Sequence, residues 1–290
     1  MSAPSMARIT RLLDAGQTLS FEFSAPRDEA GAERLKQTLD RLSKHRPQFM
    51  SVTYGAGGTT RGPTRDWVRT IRDHFQVEAM PHLTCVAHTR DEIAAIIEDY
   101  QEDGVDNILA LRGDLPQGVE SPSQAFDTAA ELTDFIRSRA DWDIGVAAHP
   151  EGHPMAASVE ADLSHQARKL AQADFAITQF GYRAEHYDQF VNQLDARGID
   201  TPVIPGIMPP TNVAGIERMS AINTTEFPVE IRERLEAASS AAERREIGVE
   251  VAVRLGRELL DFGAPGLHIY TMNFARAASE VATALGWPAD

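Results

Sequence analysis

Cysteine, lysine and net positive charge are all scarce in this chain. Cys85 is its only cysteine, so no intrachain disulfide can form and a cytoplasmic setting is expected. Lys36, Lys44 and Lys169 are the only lysines, and Lys+Arg number 28 against 43 Asp+Glu, a net charge of −15. That sign is wrong for a protein that grips a nucleic-acid backbone or an anionic membrane surface. No run approaches the roughly 20 consecutive apolar residues of a membrane-spanning helix. The stretch Met1 to Gly16 lacks the basic segment and apolar core of a secretion signal. Several catalytic signatures are missing too. There is no G-x-S-x-G nucleophile elbow, and Cys85 has no evident partner. No lysine ends a strand-like run, which disfavours Schiff-base chemistry. The glycine-rich stretch from Gly55 to Thr60 fits neither the dinucleotide fingerprint nor the P-loop.

What is present is ordinary in bulk and patterned in detail. The 290 residues are 42% hydrophobic and 24% charged, the balance of a folded globular protein. Short apolar runs alternate with longer amphipathic stretches. The strand-like runs are Thr18–Phe23, Phe49–Tyr54, Glu78–Cys85, Asn107–Leu111, Asp143–Ala148, Phe175–Phe180, Pro202–Ile207 and Leu267–Met272. Helix-like stretches follow them at Glu29–Ser43, Thr64–Phe75, Arg90–Asp103, Ser123–Arg139, Val159–Ala171, Ala184–Ala196, Ala241–Phe262 and Ala275–Ala284. Strands spaced by roughly 30 residues, each with its helix, predict an α/β fold of the (β/α)8 TIM-barrel type. The longer interval between strands seven and eight predicts extra helices there. No low-complexity linker divides the chain, so residues 1–290 are expected to form one catalytic domain, with 1–17 as an N-terminal extension. An open doubly wound sheet gives the same alternation and is the structural alternative.

In such a barrel the chemistry sits at the C-terminal strand ends. Polar residues gather there: Glu22, Thr53, His82, the Arg112-Gly113-Asp114 turn, His149 with His153, Gln179 and Tyr270. Glu22 is the most informative. Alternation in Ser20-Phe21-Glu22-Phe23-Ser24 puts both phenylalanines on one face and Glu22 with the serines on the other. With the phenylalanines packed on helices, Glu22 faces the lumen, where removal from water favours a protonated carboxyl and general-acid chemistry. Gly113 lets backbone approach a ligand, and Asp114 can accept from an N–H. His149 and His153 are four apart, but Pro150 and Gly152 between them exclude a helical metal motif. A site rich in carboxylate, imidazole, amide and hydroxyl groups, with no nucleophile of its own, suits chemistry carried by an organic cofactor.

Ordered motifs complete the picture. They are Ser-Phe-Glu-Phe at 20–23, Ser-Val-Thr-Tyr-Gly-Ala at 51–56, Pro-His-Leu-Thr-Cys at 81–85 and Ala-Leu-Arg-Gly-Asp-Leu-Pro at 110–116. Val-Ala-Ala-His-Pro-Glu-Gly-His-Pro at 146–154, Ile-Thr-Gln-Phe at 177–180, Pro-Gly-Ile-Met-Pro at 205–209 and Tyr-Thr-Met-Asn at 270–273 follow. From about Leu19 to Gly286 the chain resembles the bacterial flavin-dependent 5,10-methylenetetrahydrofolate reductases. The resemblance implies a barrel holding non-covalent FAD. It implies NADH or NADPH as electron donor and ping-pong reduction of the folate to 5-methyltetrahydrofolate. It implies that Glu22 protonates the folate and opens its five-membered ring, and that Asp114 lies beside the flavin and pterin. Gln179 and Tyr270 are implied in folate binding. Thr53, His82, Arg112, Gly113, Asp114, Ala148, His149, His153, Asp162, His165, Arg168 and Lys169 are implied in holding FAD. The helix after strand five would present Asp162, His165, Arg168 and Lys169 along one face.

Departures from a well-studied branch are His149 for Tyr, Gly215 for Gln, Met219 for Phe and Phe274 for Arg. They touch substrate grip more than hydride chemistry. The chain ends without the long C-terminal region of eukaryotic relatives, so no S-adenosylmethionine control is expected. A homo-oligomer is expected, with no metal and no nucleic-acid or membrane partner. Two alternatives stand beside this reading. One is a metal-dependent barrel hydrolase or lyase using Glu22, His82, Asp114 and His149. The other is a non-catalytic folate- or flavin-binding homologue.

Overall fold

The structure, a computed structural model, describes residues 7–55, 61–86, 88–113 and 125–290. In chain order the elements are α1 Ile9–Ala15, β1 Thr18–Ser24, α2 Glu29–Ser43, β2 Phe49–Thr53, α3 Arg61–Phe75, β3 Glu78–Thr84 and α4 Arg90–Glu102. Then come β4 Asn107–Leu111, α5 Ala129–Arg137, β5 Asp143–Ala148, α6 Val159–Leu170, β6 Phe175–Thr178, α7 Ala184–Asp195, β7 Val203–Ile204 and β8 Gly206–Ile207. The chain closes with α8 Val213–Asn223, α9 Val229–Ala237, α10 Ala241–Asp261, β9 Gly266–Tyr270 and α11 Ala275–Ala284.

The strands form one parallel sheet in the order β7-β6-β5-β4-β3-β2-β1-β9-β8. The run expected as a single seventh strand is two short pieces separated by Pro205, which has no N–H to give to a ladder. The first piece pairs with β6 and the second with β9. The Pro205 carbonyl accepts the His268 N–H at 3.0 Å. The break therefore bends one strand position between its two neighbours and brings the sheet round on itself. The architecture is the expected α/β TIM barrel, with α8 and α9 as the extra helices before the last strand. Strand six is shorter than expected, yet the Gln179 N–H still reaches the Ala148 carbonyl at 2.8 Å.

Helix starts follow local chemistry. Asp28, Thr89, Thr128, Ser158, Asn212 and Ser240 each accept a backbone N–H from three residues on, filling a donor the first helical turn leaves open. This explains one correction. The fifth helix was expected from Ser123 but starts at Ala129, because Thr128 takes the Glu131 N–H and the Glu131 carboxylate takes the Asp127 N–H at 3.1 Å. Ser123 itself lies outside the described residues.

Alternation sorts β1 as its sequence requires. Leu19, Phe21 and Phe23 pack with Leu35, Leu39 and Leu42 of α2 in the layer between strands and helices. A second cluster of Ile9, Phe49, Met80, Leu109, Phe175, Ile177 and Ile204 fills the barrel interior. Ile9 comes from α1, ahead of β1, and serves as a floor plug. The Ile9 N–H donates to Asn107 Oδ1 at 2.7 Å, and the Thr10 N–H and hydroxyl donate to Asp143 Oδ2 at 2.8 and 2.6 Å. Fully burying such a side chain contributes about 1.5–3 kcal/mol. The neighbouring ion pair of Arg8 with the exposed Asp141 is worth about 0–1 kcal/mol. Apolar contact, aided by the buried polar ties, therefore holds the plug.

Candidate active site

The C-terminal ends of the strands carry two polar clusters. The first lies in the lumen and draws on β1, β2, β3 and β9. Glu22 is in register with Ser51 of β2 and Tyr270 of β9. Its carboxylate Oε2 stands 3.5 Å from His82 Nε2 and 3.5 Å from His268 Nε2. The Glu22 side chain retains 19% exposure, so water and ligands reach it. Beneath it His268 is fully buried. The Nδ1 atom of that ring is 2.8 Å from Ser20 Oγ, and its Nε2 is 3.4 Å from Ser51 Oγ. The imidazole therefore lies between Ser20 and the Glu22 carboxylate. Phe49 stacks on it at 5.9 Å and fixes its plane.

His82 is pushed down to about 4, first by burial and then by His268, against the pull of Glu22. It is neutral at neutral pH, so it places no imidazolium beside Glu22. Tyr270 lies across Gly206, where any Cβ would collide with its ring, and its hydroxyl donates to the Thr178 carbonyl at 2.7 Å. Burial keeps that phenol protonated. Gln179 turns its Oε1 back to the Phe180 N–H at 2.9 Å. Thr53 donates to Ser24 Oγ at 3.2 Å.

The second cluster follows β5 and lines α6. The Gln166 side chain brackets His149, accepting its N–H at 2.7 Å and donating to its carbonyl at 2.9 Å. Asp162 Oδ2 accepts from Gln166 Nε2 at 2.8 Å and from the His153 N–H at 3.1 Å. The His149 and His153 rings meet edge to face at 4.8 Å. Burial, with Lys169 and His153 adding to it, pushes His149 down to about 3. Its Nδ1 is buried with no hydrogen-bond partner. Lys169 is half-buried, and desolvation lowers its ammonium to about 8 against the pull of Asp162. Asp162, Gln166 and Lys169 thus form the inward row of α6, whereas His165 and Arg168 are exposed.

Arg112 and Gly113 bridge towards this cluster from β4. Arg112 Nη2 is 3.1 Å from Met155 Sδ. Gly113 has φ +82, and a Cβ there would meet Thr84 at 2.7 Å, so only glycine fits this close turn. Ala148 ends β5 and is buried. Asp114, and most of the glycine-rich stretch Gly55 to Thr60, lie outside the described residues. Among the described residues, no group of three or more His, Cys, Asp or Glu side chains is placed to hold a metal ion, and no helix is long and apolar enough to cross a membrane. A cavity of about 920 Å3 between α2 and α3, lined by Lys36, Asp40, Asp66, Arg69 and His74, lies on the outer helix layer, away from the strand ends.

Sequence reasoning missed His268 and Ser51. The signal was available: His268 stands two residues before Tyr270, so strand alternation assigns both to the lumen. Ser51 is the register partner of Glu22.

A parallel barrel with an acid and two imidazoles at the C-terminal end of its lumen defines a barrel enzyme. Comparison with known proteins narrows the class. The family model for methylenetetrahydrofolate reductase matches residues 8–286. The chain is 38% identical over 270 residues to the 5,10-methylenetetrahydrofolate reductase of Salmonella typhimurium, covering 92% of this chain and 90% of that one. It is 37% identical to the enzyme of the same name from Escherichia coli, with the same coverage. The chain belongs to the methylenetetrahydrofolate reductase family. A plant relative, methylenetetrahydrofolate reductase (NADH) 1 of Arabidopsis thaliana, is 34% identical over 296 residues, and this chain spans 50% of its length. Among solved structures, a Clostridium thermocellum protein that binds two copies of 5-methyl-5,6,7,8-tetrahydrofolic acid superposes with a TM-score of 0.65 at 12% identity. The superposition covers 96% of this chain and 97% of that one, a likeness of fold.

Proposed function

We propose that the chain reduces 5,10-methylenetetrahydrofolate to 5-methyltetrahydrofolate with NADH or NADPH, through non-covalent FAD. The observation that carries this reading is Glu22 in the lumen, open to ligand and flanked at 3.5 Å by His82 and His268. Opening the five-membered ring of the substrate requires a proton on a ring nitrogen before the C–N bond can break. Glu22 is placed to give it, with the His268 ring beside its carboxylate at 3.5 Å. Gln179 and Tyr270 flank the same lumen as folate contacts, with Asp114 assigned beside them.

The second cluster fits a flavin dinucleotide. An orphaned imidazole nitrogen on His149 and a half-buried Lys169 ammonium are unmet needs that a polar, phosphate-bearing ligand supplies. Thr53, His82, Arg112, Gly113, Asp114, Ala148, His149, His153, Asp162, His165, Arg168 and Lys169 are the residues assigned to hold it. When bound, FAD would supply the hydride chemistry, reduced by the pyridine nucleotide and reoxidised by the folate in a ping-pong sequence. Met219 is half-buried against the Phe180–Tyr182 cluster, Gly215 lies in the first turn of α8, and Phe274 is 71% exposed. These positions set the grip on substrate. A cytoplasmic homo-oligomer completes the reading.

The visible spectrum of the purified protein tests it. A flavin spectrum that bleaches anaerobically with NADH or NADPH and returns on adding 5,10-methylenetetrahydrofolate is expected. A colourless protein with tightly held metal would overturn the reading in favour of hydrolytic or lyase chemistry. Tight folate binding without turnover would instead mark a non-catalytic homologue.

A further inference from the structure

Between His149 and His153 stands a carboxylate that the reaction does not use. The Glu151 side chain is 13% exposed, and its Oε2 lies 3.5 Å from His186 Nδ1. The same oxygen accepts the Glu226 N–H at 2.6 Å. Burial raises the Glu151 carboxyl above its ordinary range, against the stabilising pull of the Glu226 N–H and His186. Glu226 belongs to the linker 224–228 between α8 and α9. Its own carboxylate binds Arg183 Nε at 2.8 Å and Nη2 at 2.7 Å, and Arg183 extends to Glu230 of α9 at 3.4 Å. The hydroxyl of Thr225 donates to the Phe180 carbonyl at 3.3 Å. Three segments, after β5, after β6 and between α8 and α9, therefore converge on one half-buried carboxylate.

The place of these helices gives the junction its consequence. They pack on a cluster of Phe180, Tyr182, Met208, Ile216, Ile231 and Leu235, and Tyr270 and Met219 pack against the same cluster. Tyr270 is the register partner of Glu22, so α8 and α9 flank the mouth of the lumen. Apolar packing holds helices down but is non-directional. A charged acceptor on a backbone N–H fixes position. The linker also needs holding, because Thr224 ends α8 with φ +58, a left-handed conformation unfavourable for a β-branched residue. A cavity of about 480 Å3 lined by Glu151, His186, Ser220 and residues 224–226 leaves room for the linker to shift once the tie is cut.

We propose that Glu151 is a positioning residue that ties the α8–α9 pair to the 149–153 loop and thereby sets the mouth through which the folate enters. The kinetic consequence rests on the reductase reading, whereas the tie itself does not. Hydrogen exchange and steady-state kinetics on the full chain separate the two. Glu151→Ala is expected to speed amide exchange in both 149–153 and 224–228 by about tenfold. It is expected to raise KM for methylenetetrahydrofolate about tenfold with kcat within about threefold. Glu151→Gln, whose amide oxygen can still accept the Glu226 N–H, is expected to restore both towards wild type. Arg183→Ala loosens the same linker from the exposed side without unburying a charge, and keeps the question answerable should Glu151→Ala fold poorly. It is expected to move exchange in both segments and KM in the same direction by a smaller factor. Faster exchange in only one segment, or a lowered melting temperature with KM unchanged, overturns the proposal. If the protein proves to have no reductase activity, the exchange measurements alone decide the tie.

Discussion

Two acids of the barrel, Glu78 and Glu22, lie in surroundings that differ completely. At the floor, Glu78 opens β3, is 3% exposed, and neither of its oxygens makes a hydrogen bond of good geometry. Burial pushes its carboxyl up to about 7, with Asn107 and the Arg72 guanidinium only partly offsetting it. At the mouth, Glu22 is open to ligand and faces two imidazoles 3.5 Å away. The floor is closed by Ile9 over Phe49, Met80 and Phe175, while at the mouth the Glu22 side chain keeps 19% exposure. One alternation of side chains thus builds a sealed end for stability and an open end for chemistry, as parallel barrels in general divide the task.

Substitutions at the two ends should break different properties. Glu22→Gln is expected to lower turnover by about 10²–10⁴-fold, the usual worth of a general acid, with little change in stability; steady-state kinetics beside a urea melt would show this. Ile9→Ala is expected to do the reverse, costing about 2–5 kcal/mol of stability in urea unfolding while kcat stays near wild type. A matching loss of kcat would mean the floor and the mouth are coupled. Glu78→Gln sharpens the contrast through pH. The folded carboxyl keeps its proton to about pH 7, whereas an unfolded one releases it near 4.5. Its contribution to stability is therefore full below about 4.5 and lost as pH rises through 7. The variant is expected to be more stable than wild type at pH 8, by on the order of 2 kcal/mol, and to lose that advantage at pH 5.

The mouth titrates in the opposite sense. His82 and His149 stay neutral in the fold to about 4 and about 3, against an ordinary 6.5. The unfolded chain takes up those protons first, so their contribution is present above about 6.5 and lost as pH falls towards 4. His149→Gln is expected to flatten the acid limb of a stability–pH curve by on the order of 1 kcal/mol. An unchanged limb would show that this imidazole is not desolvated as the structure has it.

Much of the barrel was legible because strand alternation leaves a direct mark. The β1 pattern set Glu22 on the face opposite Phe21 and Phe23, so packing of the phenylalanines on α2 turns it inward, and the long gap before the last strand announced α8 and α9. Other features depended on contacts that sequence order does not display. Pro205 divides a strand because its partners change there, from β6 to β9. The start of α5 moved because Thr128 and Glu131 cap it together. His268 was hidden in an apolar run although its parity with Tyr270 marked it. On α6, Asp162 and Gln166 are buried and Lys169 half-buried, whereas His165 and Arg168 are exposed. The role of Glu151 leaves no mark in the sequence, because its partners Glu226 and His186 lie on segments distant along the chain.

Stopped-flow spectroscopy of the two half-reactions in Glu22→Gln bears most directly on the role given to that acid. Bleaching by the pyridine nucleotide is expected to proceed within a few-fold of the wild-type rate, while reoxidation by methylenetetrahydrofolate falls by at least about a hundredfold. Equal slowing of both half-reactions, or reoxidation at the wild-type rate, would contradict the assignment of Glu22 as the proton donor to the folate.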